Sequence, residues 1–249
     1  CEVNMKKGFT LAEVLITLGI IGVVAALTMP TVLSNYRKSQ VVNGLKKNLA
    51  LFSQAFQMAE AKHGFSNDWP TCNVDSDIEC TKEFFENYLA PELKVIKTCK
   101  NKAYDNGCIP KYSGLDDIIK EGNENISDED FNKKLVGQGG YASSALMNQS
   151  SAYVLASGEI LMNYSGMSLP RIIIFDVNGK KGPNIVGRDL FPIYLYNNGL
   201  IDDNDFSTTN TAPMTKEERN TLYAICTNSS GAWHGCFGKI LNDNWQMTY

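Results

Sequence analysis

The chain has 249 residues, a formal net charge of −4, 43% hydrophobic residues and 20% charged residues, which is ordinary for a globular protein. The acidic balance argues against a general nucleic-acid-binding protein, which would carry a basic face, so no nucleic acid is expected among its partners. The apolar residues are unevenly distributed. The window from Phe9 to Met29 contains one charged residue, Glu13, and no later window is comparably apolar.

This window predicts a membrane-spanning helix. A helix of about 21 residues rises roughly 30 Å, the thickness of a bilayer core, and this one is apolar on all sides. The alternatives are a buried helix of a soluble protein and a secretory signal peptide, for which Lys6 and Lys7 would supply the basic region. The stretch is longer than a usual signal h-region. Glu13 also adds an insertion cost of about 2.5–3.5 kcal/mol, which indicates a partner for its carboxylate.

The residues from Lys6 to Leu18, KKGFTLAEVLITL, closely resemble the class III signal of type IV pilins and type II secretion pseudopilins. The resemblance covers about residues 6–38 and rests on basic residues, glycine, phenylalanine and an intramembrane glutamate at fixed spacing. It implies that a prepilin peptidase cleaves after Gly8 and that Phe9 becomes the N-methylated amino terminus. It also implies that Glu13 acts in assembly and that Pro30 bends the helix.

The chemistry of Glu13 agrees with this resemblance. Cleavage after Gly8 would create an ammonium on Phe9, and Glu13 of a neighbouring subunit can pair with that ammonium in surroundings of low dielectric constant. Because an unpaired buried carboxylate is penalised, the pairing would favour one docking register. The alternative is that Glu13 only reaches the cytoplasmic headgroups.

Helical periodicity continues beyond Pro30. Apolar residues recur every three or four positions, at Val41, Leu45, Leu49, Phe52, Phe56 and Ala59. Gly64 predicts the end of the helix. We expect one helix over about residues 9–62, near 80 Å long, with a membrane half at 9–32 and an amphipathic half at 33–64. A break at Pro30 into two helices is the alternative.

Residues 65–249 are predicted to form a globular head outside the cytoplasm. Four β-branched or apolar runs predict an antiparallel sheet of about four strands, at 152–156, 160–164, 171–177 and 192–196. Ser157-Gly158 predicts a hairpin, and Asn178-Gly179 predicts a tight turn. The sheet would pack on the amphipathic half of the long helix, giving an α+β, pilin-like fold.

The remainder of the head is expected to be irregular, with disulfide-stapled loops and a few helices. Residues 63–150 are predicted to hold short helices at about 82–89 and 115–121. A further helix is predicted at 215–227, where Thr215 and Glu218 have the spacing of a capping box. Trp233 and Trp245 are interpreted as packing residues.

Six cysteines beyond the apolar segment form three sequence-close couples, Cys72–Cys80, Cys99–Cys108 and Cys226–Cys236. Six cysteines allow 15 connectivities, and proximity favours these three disulfides in an oxidising compartment. Zinc ligation or free thiols are the alternatives, although no CxxC pair occurs and the histidines are few. Cys1 precedes Met5, which we expect to be the translation start unless the sequence is a fragment, and Cys1 is left out of the fold prediction.

No cofactor is expected, although two acidic clusters offer oxygen atoms to calcium: Asp176, Asn178 and Asp189, and then Asp202, Asp203 and Asp205. The first lacks the spacing of an EF-hand, so we interpret it as a structural turn. The second is interpreted as a solvated loop, which such clusters form more often than ion sites. No metal site is predicted. No GxSxG, HExxH or P-loop pattern occurs, so no enzymatic activity is expected and no catalytic residue is named.

These features predict a structural subunit of a pilus or pseudopilus, of the kind formed by type II secretion pseudopilins. After removal of the leader 1–8, it would sit in the membrane lipid of a bacterial inner membrane as a single-pass protein with a periplasmic head. An inner-membrane assembly platform would then join it to other subunits in a filament. The alternative is a minor tip subunit or membrane-anchored binding module that recognises a secreted substrate or surface. Type II secretion, type IV pilus and competence systems are all compatible with these residues.

Overall fold

The computed structural model describes residues 10–69, 83–100, 102–112, 150–163, 171–196, 199–204, 213–228 and 234–249. It divides into two compact units, Cys1–Gln40 and Val41–Tyr249. Several sequence predictions fall outside the described residues: those for Gly8 and Phe9, the Cys72–Cys80 disulfide, the helix at 115–121, Asp205 and Trp233.

The longest element is helix α1, Leu11–His63. It is continuous through Pro30, which confirms the single long helix and excludes the alternative of a separate helix after the proline. The helix ends where the sequence predicts, at Gly64. The Gly64 amide donates to the Glu60 carbonyl at 2.9 Å, and its φ of 85° is one that glycine adopts without steric cost.

The part of α1 in the second unit forms one wall of the main core. Its buried apolar residues repeat at helical spacing, at Val42, Leu45, Leu49, Phe52, Phe56 and Ala59. The Phe52 ring meets the Phe175 ring of the sheet edge-on, with centroids 5.8 Å apart. Such a contact contributes about 0.5–1.5 kcal/mol beyond the burial of its area. The predicted packing of the amphipathic half on the sheet is therefore confirmed.

Six strands form one antiparallel sheet in the described part of the chain, in sequence order. They are β1 Val95–Cys99, β2 Ser151–Leu155, β3 Ile160–Asn163, β4 Arg171–Asp176, β5 Leu190–Leu195 and β6 Ile201–Asp202. The α+β class is confirmed, but the prediction of about four strands is wrong. The additional strands lie at the two edges of the sheet, where β1 is mostly exposed and β6 has only two residues, so neither carries a clear hydrophobic alternation.

The inner strands β2 to β5 are buried on both faces. Residues such as Tyr153, Leu161 and Ile193 belong to the core on the α1 side. The alternate residues, such as Ala152 and Met162, belong to a second core that includes the residues Ala103, Cys108, Ile109 and Tyr112. The Cys99–Cys108 disulfide joins β1 to this covering segment, with Cα atoms 6.3 Å apart. The segment therefore acts as the second layer over the sheet.

The predicted hairpin and tight turn meet each other. Gly158 donates to the Leu155 carbonyl at 2.9 Å and closes the β2–β3 hairpin. Gly179, with φ 63°, lies against that turn, and a Cβ atom placed on it would be 2.2 Å from the Gly158 carbonyl oxygen. Only glycine fits at position 179, because its α-hydrogen leaves room for the neighbouring backbone.

Two helices follow the sheet, α2 Lys216–Asn228 and α3 Cys236–Asn242. The predicted capping box is present before α2: the Glu218 amide donates to Thr215 Oγ1 at 3.2 Å, and the Thr215 amide donates to Glu218 Oε2 at 2.7 Å. The sequence did not predict α3, which has seven residues and an internal glycine. Shorter helical turns occur at Ser66–Asp68, Phe85–Leu89 and Ala90–Glu92.

Candidate functional site

The start of α1 holds Glu13 in a capping box. The Glu13 amide donates to Thr10 Oγ1 at 3.3 Å, while Glu13 Oε2 accepts from the Thr10 amide at 2.8 Å and from the Thr10 hydroxyl at 2.9 Å. This reciprocal pairing satisfies amides that have no partner within the helix, and it fixes the carboxylate at the positive end of the helix dipole. Sequence reasoning missed Thr10 as a positioning residue, although its T-x-x-E spacing matches that of Thr215 and Glu218.

The first unit presents an apolar surface on all sides of α1. Every large apolar side chain from Leu11 to Leu33 is exposed, and no charged residue occurs between Glu13 and Arg37. The helix is long and apolar enough to cross a membrane. Two of its hydroxyls are satisfied within the helix: Thr17 donates to the Glu13 carbonyl and Thr28 donates to the Val24 carbonyl, both at 2.9 Å. Such internal pairing is what a lipid environment requires of a helix.

The first acidic cluster ties the β4–β5 loop to the covering segment. Tyr112 donates to Asp176 Oδ2 at 2.7 Å, and Asn178 donates through Nδ2 to Asp189 Oδ2 at 3.0 Å. Asp189 also accepts from the Asn184 and Ile185 amides at 2.8 and 2.6 Å. Burial raises the pKa of both carboxyls, and it also raises the pKa of Tyr112. The structure therefore brings the predicted Asp176, Asn178 and Asp189 together, with their carboxylates accepting hydrogen bonds from the loop.

The second acidic cluster is buried, so the prediction that Asp202 and Asp203 lie in a solvated loop is wrong. Asp202 and Arg219 of α2 form a bidentate pair, at 2.8 Å from Nε to Oδ1 and 2.6 Å from Nη2 to Oδ2. The Asp203 and Met214 amides each donate one further hydrogen bond to Asp202. Asp202 and Asp203 have the composition of a polar loop in the sequence, but in the structure they hold the carboxyl-terminal helices in place.

Asp203 holds the beginning of α3. Its Oδ2 accepts from the Gly235 amide at 2.9 Å and from the Gly238 amide at 2.8 Å. Burial raises the pKa of Asp203 to about 7, while these amide hydrogen bonds act in the opposite direction. Among the His, Cys, Asp and Glu side chains that the structure describes, no group of three or more is arranged to hold a metal ion.

A disulfide between Cys226 and Cys236 connects α2 to α3, with Cα atoms 5.6 Å apart. Gly187 lies against it, and a Cβ atom there would be 2.5 Å from Cys236 Sγ. The Tyr249 hydroxyl donates to the Gly187 carbonyl at 2.7 Å, and His234 Nδ1 lies 2.9 Å from the Tyr194 hydroxyl. His234 is a buried, hydrogen-bonded residue beside a disulfide, an arrangement that offers no Cys–His nucleophile at this position.

Comparison with known proteins gives two family matches. Residues 3–29 match the prokaryotic N-terminal methylation motif, and residues 31–117 match a family of unknown function, DUF6613. No match was found among curated proteins or among solved structures. The methylation motif, together with the long apolar helix that begins within it, identifies the amino-terminal segment as a class III prepilin-like signal. This signal implies processing by a prepilin peptidase and assembly with pilin-type subunits, which are structural proteins.

Proposed function

We propose that this protein is a structural subunit of a pseudopilus, assembled as a pseudopilin of a type II secretion system. One observation supports this most strongly. The methylation motif extends into a helix whose large apolar side chains are all exposed through Leu33, while from Val42 onward one face of the same helix is buried in the head. A helix of this kind needs an apolar environment for its first half, either lipid or the helices of other subunits.

The chain divides into parts with separate roles. The leader 1–8 is removed, residues 9–32 hold the subunit in the bacterial inner membrane, residues 33–64 form the amphipathic half of α1, and residues 65–249 form a periplasmic head. An inner-membrane platform then transfers the subunit from lipid to the filament, where Pro30 lets the helix bend. Because lipid and a filament core are both apolar, this transfer requires no exposure of the first half of α1 to water.

Glu13 sets the register between subunits. Both hydrogen bonds from Thr10 go to Oε2, and none of the described residues donates to Oε1. Oε1 is therefore open to the ammonium of a neighbouring subunit's Phe9 after cleavage. In surroundings of low dielectric constant this ion pair relieves the cost of the buried carboxylate, so a subunit docked out of register is disfavoured.

The test compares Glu13→Gln with Thr10→Ala in cells that carry a prepilin peptidase and a type II secretion platform. Glu13→Gln keeps the size of the side chain but removes its charge, so we expect normal membrane insertion and cleavage with filament yield lowered about tenfold or more. Thr10→Ala breaks the capping box but keeps the carboxylate, so its yield should fall less. Equal yields from wild type and Glu13→Gln would refute the role of Glu13.

The type of filament is tested by exchanging the platform. We expect assembly with a type II secretion platform and little assembly with a type IV pilus platform. The reverse result would contradict the pseudopilin assignment while leaving a pilin-like subunit. Quantification along purified filaments provides a second check, since a single copy at one end would indicate a tip subunit.

A further inference from the structure

A groove runs along the second half of α1, within the second unit. It has a volume of about 240 Å³. Its principal lining residues come from α1, β6 and the carboxyl-terminal region: Lys46, Leu49, Ile201, Phe237, Leu241 and Trp245. The floor is apolar, and Lys46 is the charged residue at the rim, with Nζ 5.2 Å from the centre of the Trp245 ring.

The backbone that positions Trp245 is unusual. Asn244 and Trp245 have φ values of 53° and 62°, in the left-handed region that non-glycine residues seldom occupy. The Trp245 amide donates to the Ile240 carbonyl at 2.8 Å, and its ring lies edge-on to Phe237 with centroids 6.3 Å apart. Two consecutive residues in this conformation cost free energy that the surrounding contacts must offset. The result is an indole ring fixed at the rim of the groove, beside Lys46.

Lys46 differs from two other lysines of α1. Lys47 forms an ion pair with Glu159, and Lys62 forms one with Glu92. No carboxylate among the described residues pairs with Lys46, whose ammonium faces the indole ring and solvent. The complement of this groove is therefore an apolar side chain that carries a carboxylate close by.

The same head displays such a combination just beyond the end of α1. Phe65 is 77% exposed, more than any other large apolar residue described in the second unit. The Asp68 amide donates to the Phe65 carbonyl at 2.9 Å within the turn Ser66–Asp68, which places the two residues one turn apart. Asp68 is exposed, and its carboxylate has no ion-pair partner in the part of the chain that the structure describes.

We propose that Phe65 and Asp68 of one copy dock into the groove of another copy in the same filament, with the phenyl ring on the apolar floor and the carboxylate beside Lys46. This contact rests on the proposed function, since it operates between subunits of one filament. It joins two different surfaces of the same chain, and a repeated contact of that kind builds an open array. Lys46 precedes the end of α1 by about 25 Å, so with parallel helices the two copies in this contact are offset by roughly that distance. They are therefore not the pair joined through Glu13 and Phe9, whose four-residue separation corresponds to about 6 Å.

The first experiment locates the contact in filaments of the full-length protein. The photo-crosslinking amino acid p-benzoylphenylalanine replaces Phe65. The cells are labelled with both ¹⁴N and ¹⁵N, so that each filament contains light and heavy subunits. We expect mixed-isotope crosslinks from position 65 to peptides that contain Leu241 or Trp245. Crosslinks that map only to other surfaces would overturn the proposal.

The second experiment exchanges the charges. We expect Lys46→Glu and Asp68→Lys each to lower filament yield about tenfold, because like charges then meet at the contact, and the double variant to restore it to within about twofold. Lys181→Glu, on another exposed lysine, is the matched control and should assemble normally. A double variant no better than the single variants would refute the docking.

Failure of the docking is distinguishable from failure of the proposed function. If only the docking is wrong, wild-type chains still carry methylated Phe9 and still depend on Glu13 for assembly, while the charge exchange has no effect. If the chain is not a filament subunit, the amino terminus is not processed at Phe9 and no wild-type filament forms.

Discussion

The pair formed by Asp202 and Arg219 offers the sharpest test of how the carboxyl-terminal region is held. Asp202 is 1% exposed and Arg219 is 17% exposed, and two charge-assisted hydrogen bonds join them. Such bonds contribute about 1.5–3 kcal/mol each, and removing one partner of a buried pair costs about 3–5 kcal/mol. In Arg219→Met, each Asp202 oxygen keeps one backbone amide donor. We therefore expect the free energy of unfolding to fall by about 3 kcal/mol, the lower end of that range.

The assay is urea unfolding of the full-length protein in detergent, followed by tryptophan fluorescence. If the free energy of unfolding falls by about 2–3 kcal/mol per molar urea, this loss lowers the urea midpoint of unfolding by roughly 1–1.5 M. The control is Lys239→Met, which removes an ion pair with Asp243 whose side chains are 24% and 19% exposed. That pair should contribute at most about 1 kcal/mol. A loss in Arg219→Met no larger than in Lys239→Met would show that buried Asp202 does not depend on Arg219.

Three further predictions concern the core, a disulfide and pH. Phe52→Ala should lower the free energy of unfolding by about 3–5 kcal/mol because Phe52 is fully buried, whereas Leu51→Ala, at a residue 38% exposed, should cost less than about 1 kcal/mol in the same urea assay. Replacing Cys99 and Cys108 by serine should cost about 2–3 kcal/mol, and reducing agent should then have a smaller effect on thermal unfolding than in wild type. Burial raises the pKa of Asp203 to about 7, above the unfolded value of about 3.9, so the folded state binds this proton more tightly. The stability gained from that proton is therefore complete below about pH 4 and is lost as the pH rises through about 7. The urea midpoint of Asp203→Asn should therefore fall less between pH 5 and pH 8 than that of wild type, and parallel curves for the two proteins would contradict this assignment.

The elements with a strong local pattern were predictable from the sequence. The 3.6-residue period of α1, the β-branched runs of β2 to β5 and the capping box at Thr215 and Glu218 each depend on residues close in the chain. The disulfides Cys99–Cys108 and Cys226–Cys236 are both present in the structure. Each joins residues already near one another in sequence, so proximity was a sound guide.

The features that sequence reasoning missed depend on contacts distant in the chain. β1 is an exposed edge strand that forms because it pairs with β2, which lies more than 50 residues later in the chain. The pairing runs from Val95 with Leu155 to Cys99 with Ala152. Asp202 and Asp203 have the composition of a solvated loop, and only the fold brings Arg219 and the start of α3 to them. Thr10 is different, because its capping-box spacing with Glu13 was visible in the sequence and was overlooked beside the membrane signal.

The mass of the mature amino terminus shows directly whether this chain is processed as a pilin-like precursor. The protein is isolated from membranes of cells with a prepilin peptidase, digested, and its first peptide sequenced by mass spectrometry. We expect a chain that begins at Phe9 with a methylated amino group and has lost Lys6, Lys7 and Gly8. An intact leader, or cleavage near Ala26 as by a signal peptidase, would contradict it.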